Sequence, residues 1–211
     1  MLDDYASQKT VDWDNRKVTQ ILNAAGKCFA QRGYAETSIK EIAGKIGITK
    51  SMVHYYFSSK AHLLYEVLTY MNHRHLSRVT KDLKVSEESP LRRARKALNA
   101  LWSTIRKDKR FLRLSVDFWS IAAHDAKLHD RLRSSNAATR KTIAEGIAEA
   151  LGGEKEKLPV EDEVLAALIL AVVHGLSVQD YIEPEGVNVD DVFRLFVAAL
   201  TAGMANLDIE D

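Results

Sequence analysis

Apolar residues recur at helical spacing along almost the whole 211-residue chain, and no stretch keeps the two-residue alternation, β-branched enrichment and turn punctuation of strands. That pattern restricts the chain to an all-α fold. A first helix is predicted from about Asn15 to Arg32, with Val18, Ile21, Leu22, Ala25 and Phe29 on one face and Gly33 as its C-cap. Ser38 stands three residues before Glu41, the spacing of a capping box, and Ile39, Ile42, Ala43 and Ile46 give a short second helix its apolar face. Gly47 ends it. After the turn Gly47-Ile48-Thr49, Thr49 can cap a third helix that turns Val53 and Phe57 inward, and Ser58 or Ser59 can cap a fourth that starts near Lys60. The stripe Leu63, Leu64, Val67, Leu68, Met71, His75, Leu76 and Val79 carries this helix to about Asp82. Beyond a polar connector from Lys84 to Pro90, helical patterns resume around Leu98 to Ile105, through an aromatic-rich segment from Phe111 to Ile121, and over Lys127 to Leu151. A charged loop from Glu154 to Pro159 precedes two strongly apolar helices, Glu161–Tyr181 and Val189–Ala205.

The overall charge of +1 hides a division. Between Asn15 and Lys60 eight basic residues face only Glu36 and Glu41, a net +6, whereas from Gly152 onward thirteen acidic residues face three basic ones, a net −10. One end suits a polyanion and the other repels it. Charge runs by themselves describe solvated faces, so the division gains meaning only from what the basic end folds into. Cys28 is the single cysteine, which rules out an intramolecular disulfide and a multi-cysteine zinc site. The run Val164–Val173 stops short of the roughly 20 residues of a membrane span, and Met1 to Asp14 lacks the basic start and apolar core of a signal peptide. A cytoplasmic protein that does not engage a membrane is expected. No Gly-rich phosphate loop, HExxH, GxSxG or nucleophile signature around Cys28 is present, so no enzyme class is indicated and no cofactor is called for. His73 and His75, and His124 and His129, miss the i, i+4 spacing that sets two imidazoles over one metal.

Two short helices joined by a Gly-containing turn, here Ser38 to Phe57, form the unit that places a second helix in the DNA major groove while the first crosses the backbone. Helix pairs of this shape also occur in bundles that never touch DNA. With Val53 and Phe57 buried, Lys50, Ser51, Met52, His54, Tyr55 and Tyr56 fall at or beside the solvent face of the third helix, where they offer donors, a methyl contact and phenolic hydroxyls to base edges. Thr37 and Ser38 at the head of the second helix, Thr49 at the head of the third, and Lys60 on the fourth are placed to meet phosphates. The competing reading is a helical protein-interaction scaffold that works through its C-terminal helices and binds no DNA.

Gly33-Tyr34, Thr37-Ser38, Ile42-Ala43, Gly47-Ile48-Thr49, Tyr55-Tyr56-Phe57 and Ser59-Lys60 with Leu63 closely resemble the N-terminal signature of TetR-type transcriptional regulators. The likeness covers about Val18 to Leu64. Ile46, Ser51 and His54 depart from the usual residues at their positions, and the last two lie on the expected reading face. The resemblance implies a homodimer that reads a roughly palindromic double-stranded operator, acts as a repressor, and is released by a small molecule bound in its C-terminal domain. It also implies a three-helix DNA-binding domain at 15–60, behind an N-terminal extension at 1–14 and ahead of a larger helical regulatory and dimerisation domain at 61–211. Within that larger domain Trp102, Phe111, Phe118, Trp119 and Tyr181 can line an apolar pocket, with Asp117, His124 or His174 as a polar contact, although aromatics at helical spacing more often build core. Leu165, Leu168, Val172, Leu176, Val192, Phe196 and Leu200 can form a two-fold interface or complete the core of one chain, and periodicity does not separate the two.

Overall fold

A computed structural model describes residues 11–83, 89–152 and 160–206, apart from the side chains of 80–83 and 204–206. The expected extension at 1–14 therefore lies mostly outside the described residues, as do most of the Lys84–Pro90 connector and the Glu154–Pro159 loop. Nine helices and no strand are found among the described residues: α1 (Arg16–Glu36), α2 (Ile39–Lys45), α3 (Lys50–Tyr56), α4 (Lys60–Leu83), α5 (Pro90–Lys107), α6 (Lys109–Ala122), α7 (Ala126–Leu151), α8 (Asp162–Ile182) and α9 (Val189–Asn206). The contacts divide into two compact units. One comprises 1–72 with 113–129, the other 73–112 with 130–211.

In the first unit each helix starts where a short polar side chain satisfies orphan N–H groups. Asn15 Oδ1 accepts from the backbone N–H of Lys17 at 2.9 Å and of Val18 at 3.3 Å, which starts α1. The regular part of α1 stops at Gly33, whose φ of +80° is open to glycine and strained for other residues. Ser38 Oγ accepts from Glu41 N at 3.1 Å, but the capping box is only half formed, because the Glu41 carboxylate pairs with Arg32 at 3.1 Å rather than turning back to its own helix end. Gly47, at φ +67°, turns the chain between α2 and α3. Thr49 Oγ1 caps α3 through Met52 N at 3.2 Å, and of the two serines offered for α4 it is Ser59 that accepts from His62 N, at 3.0 Å. Val18, Ile21, Leu22, Phe29, Ile42, Val53, Phe57, Leu63 and Leu64 are all fully buried, so the apolar stripes of α1 to α4 converge as their spacing requires.

The second unit is built round α5, α8 and α9, with α9 packed on both of the others. Trp102 stacks on Phe193, ring centroids 5.0 Å apart, and Leu101, Leu165, Ile169, Val173, Leu176 and Val197 close the core about them. By length and composition α8 is apolar enough to cross a membrane, which the short run Val164–Val173 had not suggested, because His174, Gly175, Ser177 and Gln179 beyond it dilute the run without adding charge before Asp180. Only 28% of that window is buried within the unit. The remainder forms a face of its own: Val164, Ala167, Leu168, Ala171 and Gly175 are exposed along α8, and Leu195, Ala198, Ala199, Ala202 and Gly203 along α9.

Candidate nucleic-acid interface

The reading helix is held from beneath. Val53 and Phe57 are at 0% and 1% exposure, and Phe57 N bonds to Val53 O at 2.9 Å as the helix closes. With those two anchored, helical geometry leaves Lys50, Ser51, Met52, His54 and Tyr55 exposed, while Tyr56 is half-buried with its ring edge-on to Tyr55 at 4.9 Å. Tyr55 is 76% exposed. Ser51 Oγ and Thr49 Oγ1 lie 2.8 Å apart, so these two hydroxyls are coupled at the first turn of the helix. Of the residues placed on this face from sequence, the structure brings together Thr49 to Tyr56 in one continuous patch, with exposed Ser38 at the head of the neighbouring helix. Lys40 and Lys45 on α2 are also exposed, and Lys45 Nζ bonds to Gln31 Oε1 at 3.2 Å.

Two residues assigned to phosphate contact occupy other positions. Thr37 is 1% exposed, and its hydroxyl donates to Gly33 O at 2.8 Å and to Cys28 O at 3.3 Å, so it closes the turn after α1 rather than facing outward. Lys60 directs its ammonium at three carbonyls, Tyr34 O at 2.9 Å, Thr37 O at 3.1 Å and Ala35 O at 3.3 Å, and lies 4.3 Å from the centroid of the Tyr34 ring. All three of its N–H donors are engaged, and the positive charge stays beside the head of α2. Burial pushes the Tyr34 phenol up from its ordinary value. Asp117 Oδ2 accepts from Tyr34 N at 3.2 Å and Arg113 Nη1 donates to Ala30 O at 3.0 Å, so α6 grips the C-terminal end of α1. Sequence reasoning missed this pair, since two surface-type residues 83 positions from their partners leave no local signal. A buried His62–Glu66 contact at 3.4 Å reinforces the α3–α4 junction, where His62 Nδ1 accepts from Ser58 N at 3.2 Å.

Of the residues proposed for an effector pocket, Trp102 and Tyr181 border one cavity, and the others are divided between the two units. Asp117, Phe118 and Trp119 belong to the first unit, where Phe118 is buried against Tyr65 at 5.8 Å. His124 is exposed there. In the second unit Phe111 lies edge-on to His75 at 5.1 Å, and burial lowers the pKa of His174. Trp102 donates from Nε1 to Asp190 Oδ1 at 2.7 Å and, with Tyr181, borders a cavity of about 90 Å³. Arg106 and Lys109 flank that cavity and both pair with Asp180, at 3.6 and 3.8 Å, and Arg106 also pairs with Asp190. A second cavity of about 60 Å³ is lined by aliphatic residues from α4, α5, α7, α8 and α9, none of which had been assigned to a pocket. Of the interface candidates, Leu165 and Leu176 are consumed by the unit's own core, and Val172, Val192, Phe196 and Leu200 pack against that core half-buried. Only Leu168 stands on the exposed face.

Residues 21–67 match the family described as bacterial regulatory proteins, tetR family, and residues 90–204 match the BetI-type transcriptional repressor C-terminal domain. The chain is 28% identical over 178 residues to the transcriptional regulator TtgR of Pseudomonas putida, covering 80% of this chain and 82% of that one. It is 35% identical over 96 residues to the transcriptional regulator YuxN of Bacillus subtilis, a match that spans 46% of this chain and only 33% of the relative's length. A transcriptional regulator from Saccharomonospora viridis, solved in complex with choline, superposes with a TM-score of 0.67 at 23% identity, over 87% of this chain and 94% of that one. With its helix-turn-helix and its C-terminal domain both matched, the chain belongs to the TetR family of DNA-binding transcriptional regulators and is not an enzyme.

Proposed function

We propose that this regulator is a cytoplasmic homodimeric repressor that reads a palindromic operator with Lys50, Ser51, Met52, His54 and Tyr55, and leaves it when a small molecule occupies the C-terminal unit. The observation that carries the reading is the α3 face, on which polar and aromatic side chains stand exposed over a fully buried Val53–Phe57 anchor. Ser38 and Thr49, at the heads of α2 and α3, and the charge of Lys60 serve phosphate positioning, whereas the hydroxyl of Thr37 is spent inside the domain. Dimerisation is supported by the apolar and small-residue face of α8 and α9. Its alanines and glycines permit close helix approach, and Leu195, at 70% exposure, has no cover among the described residues. A two-fold pair of such helices fits two half-sites about 34–36 Å apart.

Selection of bound sequences from random duplex DNA with the purified protein tests this directly. An inverted repeat whose affinity falls steeply with salt is expected. Absence of any binding at low salt would favour the interaction-scaffold reading.

A further inference from the structure

The aliphatic cavity of the second unit specifies a ligand chemistry. Leu98, Leu101, Ile143, Ile147, Leu165 and Ile169 supply most of its wall. Its two hydroxyls are turned away from it: Thr142 Oγ1 donates to Ala138 O at 3.1 Å, and Thr201 Oγ1 to Val197 O at 2.9 Å, each on its own helix, so both present methyl groups to the space. Among the described residues no aromatic ring and no carboxylate lines it, which leaves a quaternary ammonium without a cation–π or ionic partner.

The rim carries the charge that the wall lacks. Arg93 directly precedes the lining residue Ala94, and its Nε and Nη2 donate to the backbone carbonyl of another lining residue, Ala150, at 3.1 and 2.9 Å. That hold fixes the guanidinium at the C-terminal end of α7, beside residues that line the cavity. Among the described residues no carboxylate pairs with Arg93, and its Nη1 takes part in neither of those bonds. An apolar slot beside a fixed cation that has no counter-anion among the described residues is complementary to an aliphatic chain that ends in an anion.

We propose that this cavity takes the chain of a short- to medium-chain aliphatic carboxylate, with Arg93 holding the anionic head. The head is either a free carboxylate or the phosphates of the corresponding coenzyme A thioester. The inference rests on the effector reading above for its biological use, but its binding test is independent of DNA.

Calorimetry on the full-length protein with octanoate, 1-octanol, octanoyl-coenzyme A and choline decides it. Octanoate is expected to bind about tenfold or more tightly than 1-octanol, the increment of a charged hydrogen bond, and choline to give no heat. Arg93→Gln should remove that preference while leaving the alcohol's affinity in place, and Arg93→Lys should restore part of it. Gly146 lines the cavity and has open space at its Cβ position, so Gly146→Leu should abolish binding of every chain without harming the helix. Octanoyl-coenzyme A binding in place of octanoate, with the same two variant effects, supports the same site with the other head. Equal affinity for octanoate and octanol, choline binding, indifference to Gly146→Leu in a folded variant, or no binding by any aliphatic compound overturns the proposal. Binding that leaves operator affinity unchanged upholds the site and overturns only the effector reading.

Discussion

Lys60 shows how a single side chain can be placed correctly and still have a different occupation. A lysine at the start of α4, next to the head of α2, has the position of a phosphate contact, but its ammonium ties together the three carbonyls at 34, 35 and 37. Lys60→Met should therefore cost about 1–2 kcal/mol of stability, since charged donors to carbonyls are worth this much, and chemical denaturation should show it without DNA present. A pure phosphate contact would leave the denaturation midpoint where it is. Asp108, between α5 and α6, makes a pH-dependent contribution of the same local kind. Partial burial pushes its carboxyl up, but hydrogen bonds from His75 and Arg110, together with their charge, outweigh that and hold it at about 2. A depressed carboxyl stabilises the fold above the unfolded pKa of about 3.9 and loses that contribution as pH falls through its folded value. The stability gap between the wild type and Asp108→Asn should thus be full at pH 5 to 7 and shrink between about pH 4 and 2. A gap that stays constant across that window would remove the linkage. At this scale the sequence identifies the residue types and their neighbours along the chain, while Lys60's carbonyls lie more than twenty positions away and so leave no trace in local spacing.

The helix-turn-helix elements are the most legible part of the chain, because each boundary is written in chemistry that acts over two or three residues. Ser38, Thr49 and Ser59 cap as their spacing suggests, Asn15 at the expected start of α1 caps as well, and Gly33 and Gly47 take up the positive φ that lets the chain turn. Gly47→Ala forces a left-handed conformation on an L-residue and should cost about 1–2 kcal/mol, readable as a lowered Tm. Less legible is the hold of α6 on α1. Arg113 and Asp117 sit one turn apart on α6 and bind Ala30 O and Tyr34 N, directly behind the turn that leads into α2. The double variant Arg113→Ala/Asp117→Ala should loosen that turn, raise amide exchange at 34–38 and weaken operator binding, while the C-terminal unit keeps its protection. Unaltered exchange at 34–38 would show that the grip is incidental. The sequence marks α6 as an aromatic-rich helix, but the side chains that matter for the neighbouring α1 are its polar ones.

For the whole molecule the informative feature is what one chain fails to cover. Leu168 and Leu195 stand exposed on adjacent helices amid alanines and glycines, with Asp162 and Glu163 in the first turn of α8 and Asp190 and Asp191 in the first turn of α9. Leu168→Glu and Leu195→Glu should each shift sedimentation toward the monomer while leaving the helical content intact, because neither residue contributes to the core of its own unit. Operator affinity should fall with them, since a monomer holds one half-site. A dimer that persists in both variants would move the interface elsewhere. The opposition of charge along the chain acts at this scale too: the basic segment from Asn15 to Lys60 suits the phosphate backbone and the acidic C-terminal segment is repelled by it.

Periodicity, caps and turn glycines act between residues that are close along the chain, so the sequence by itself determined the all-helical class, the boundaries of α1 to α4, and which face of α3 turns outward. Occupancy depends on residues brought together from afar, and that only the tertiary structure decided. It placed Thr37 and Lys60 inside the domain's own hydrogen bonding, and it assigned Leu165 and Leu176 to the core and Leu168 to the surface. It also buried Trp102 and Phe118 in the core, left Tyr181 exposed, and lined the smaller cavity with aliphatic residues. The physical reason is that a helical stripe specifies that a face is apolar, while the identity of what covers it is fixed by packing among helices distant in the chain.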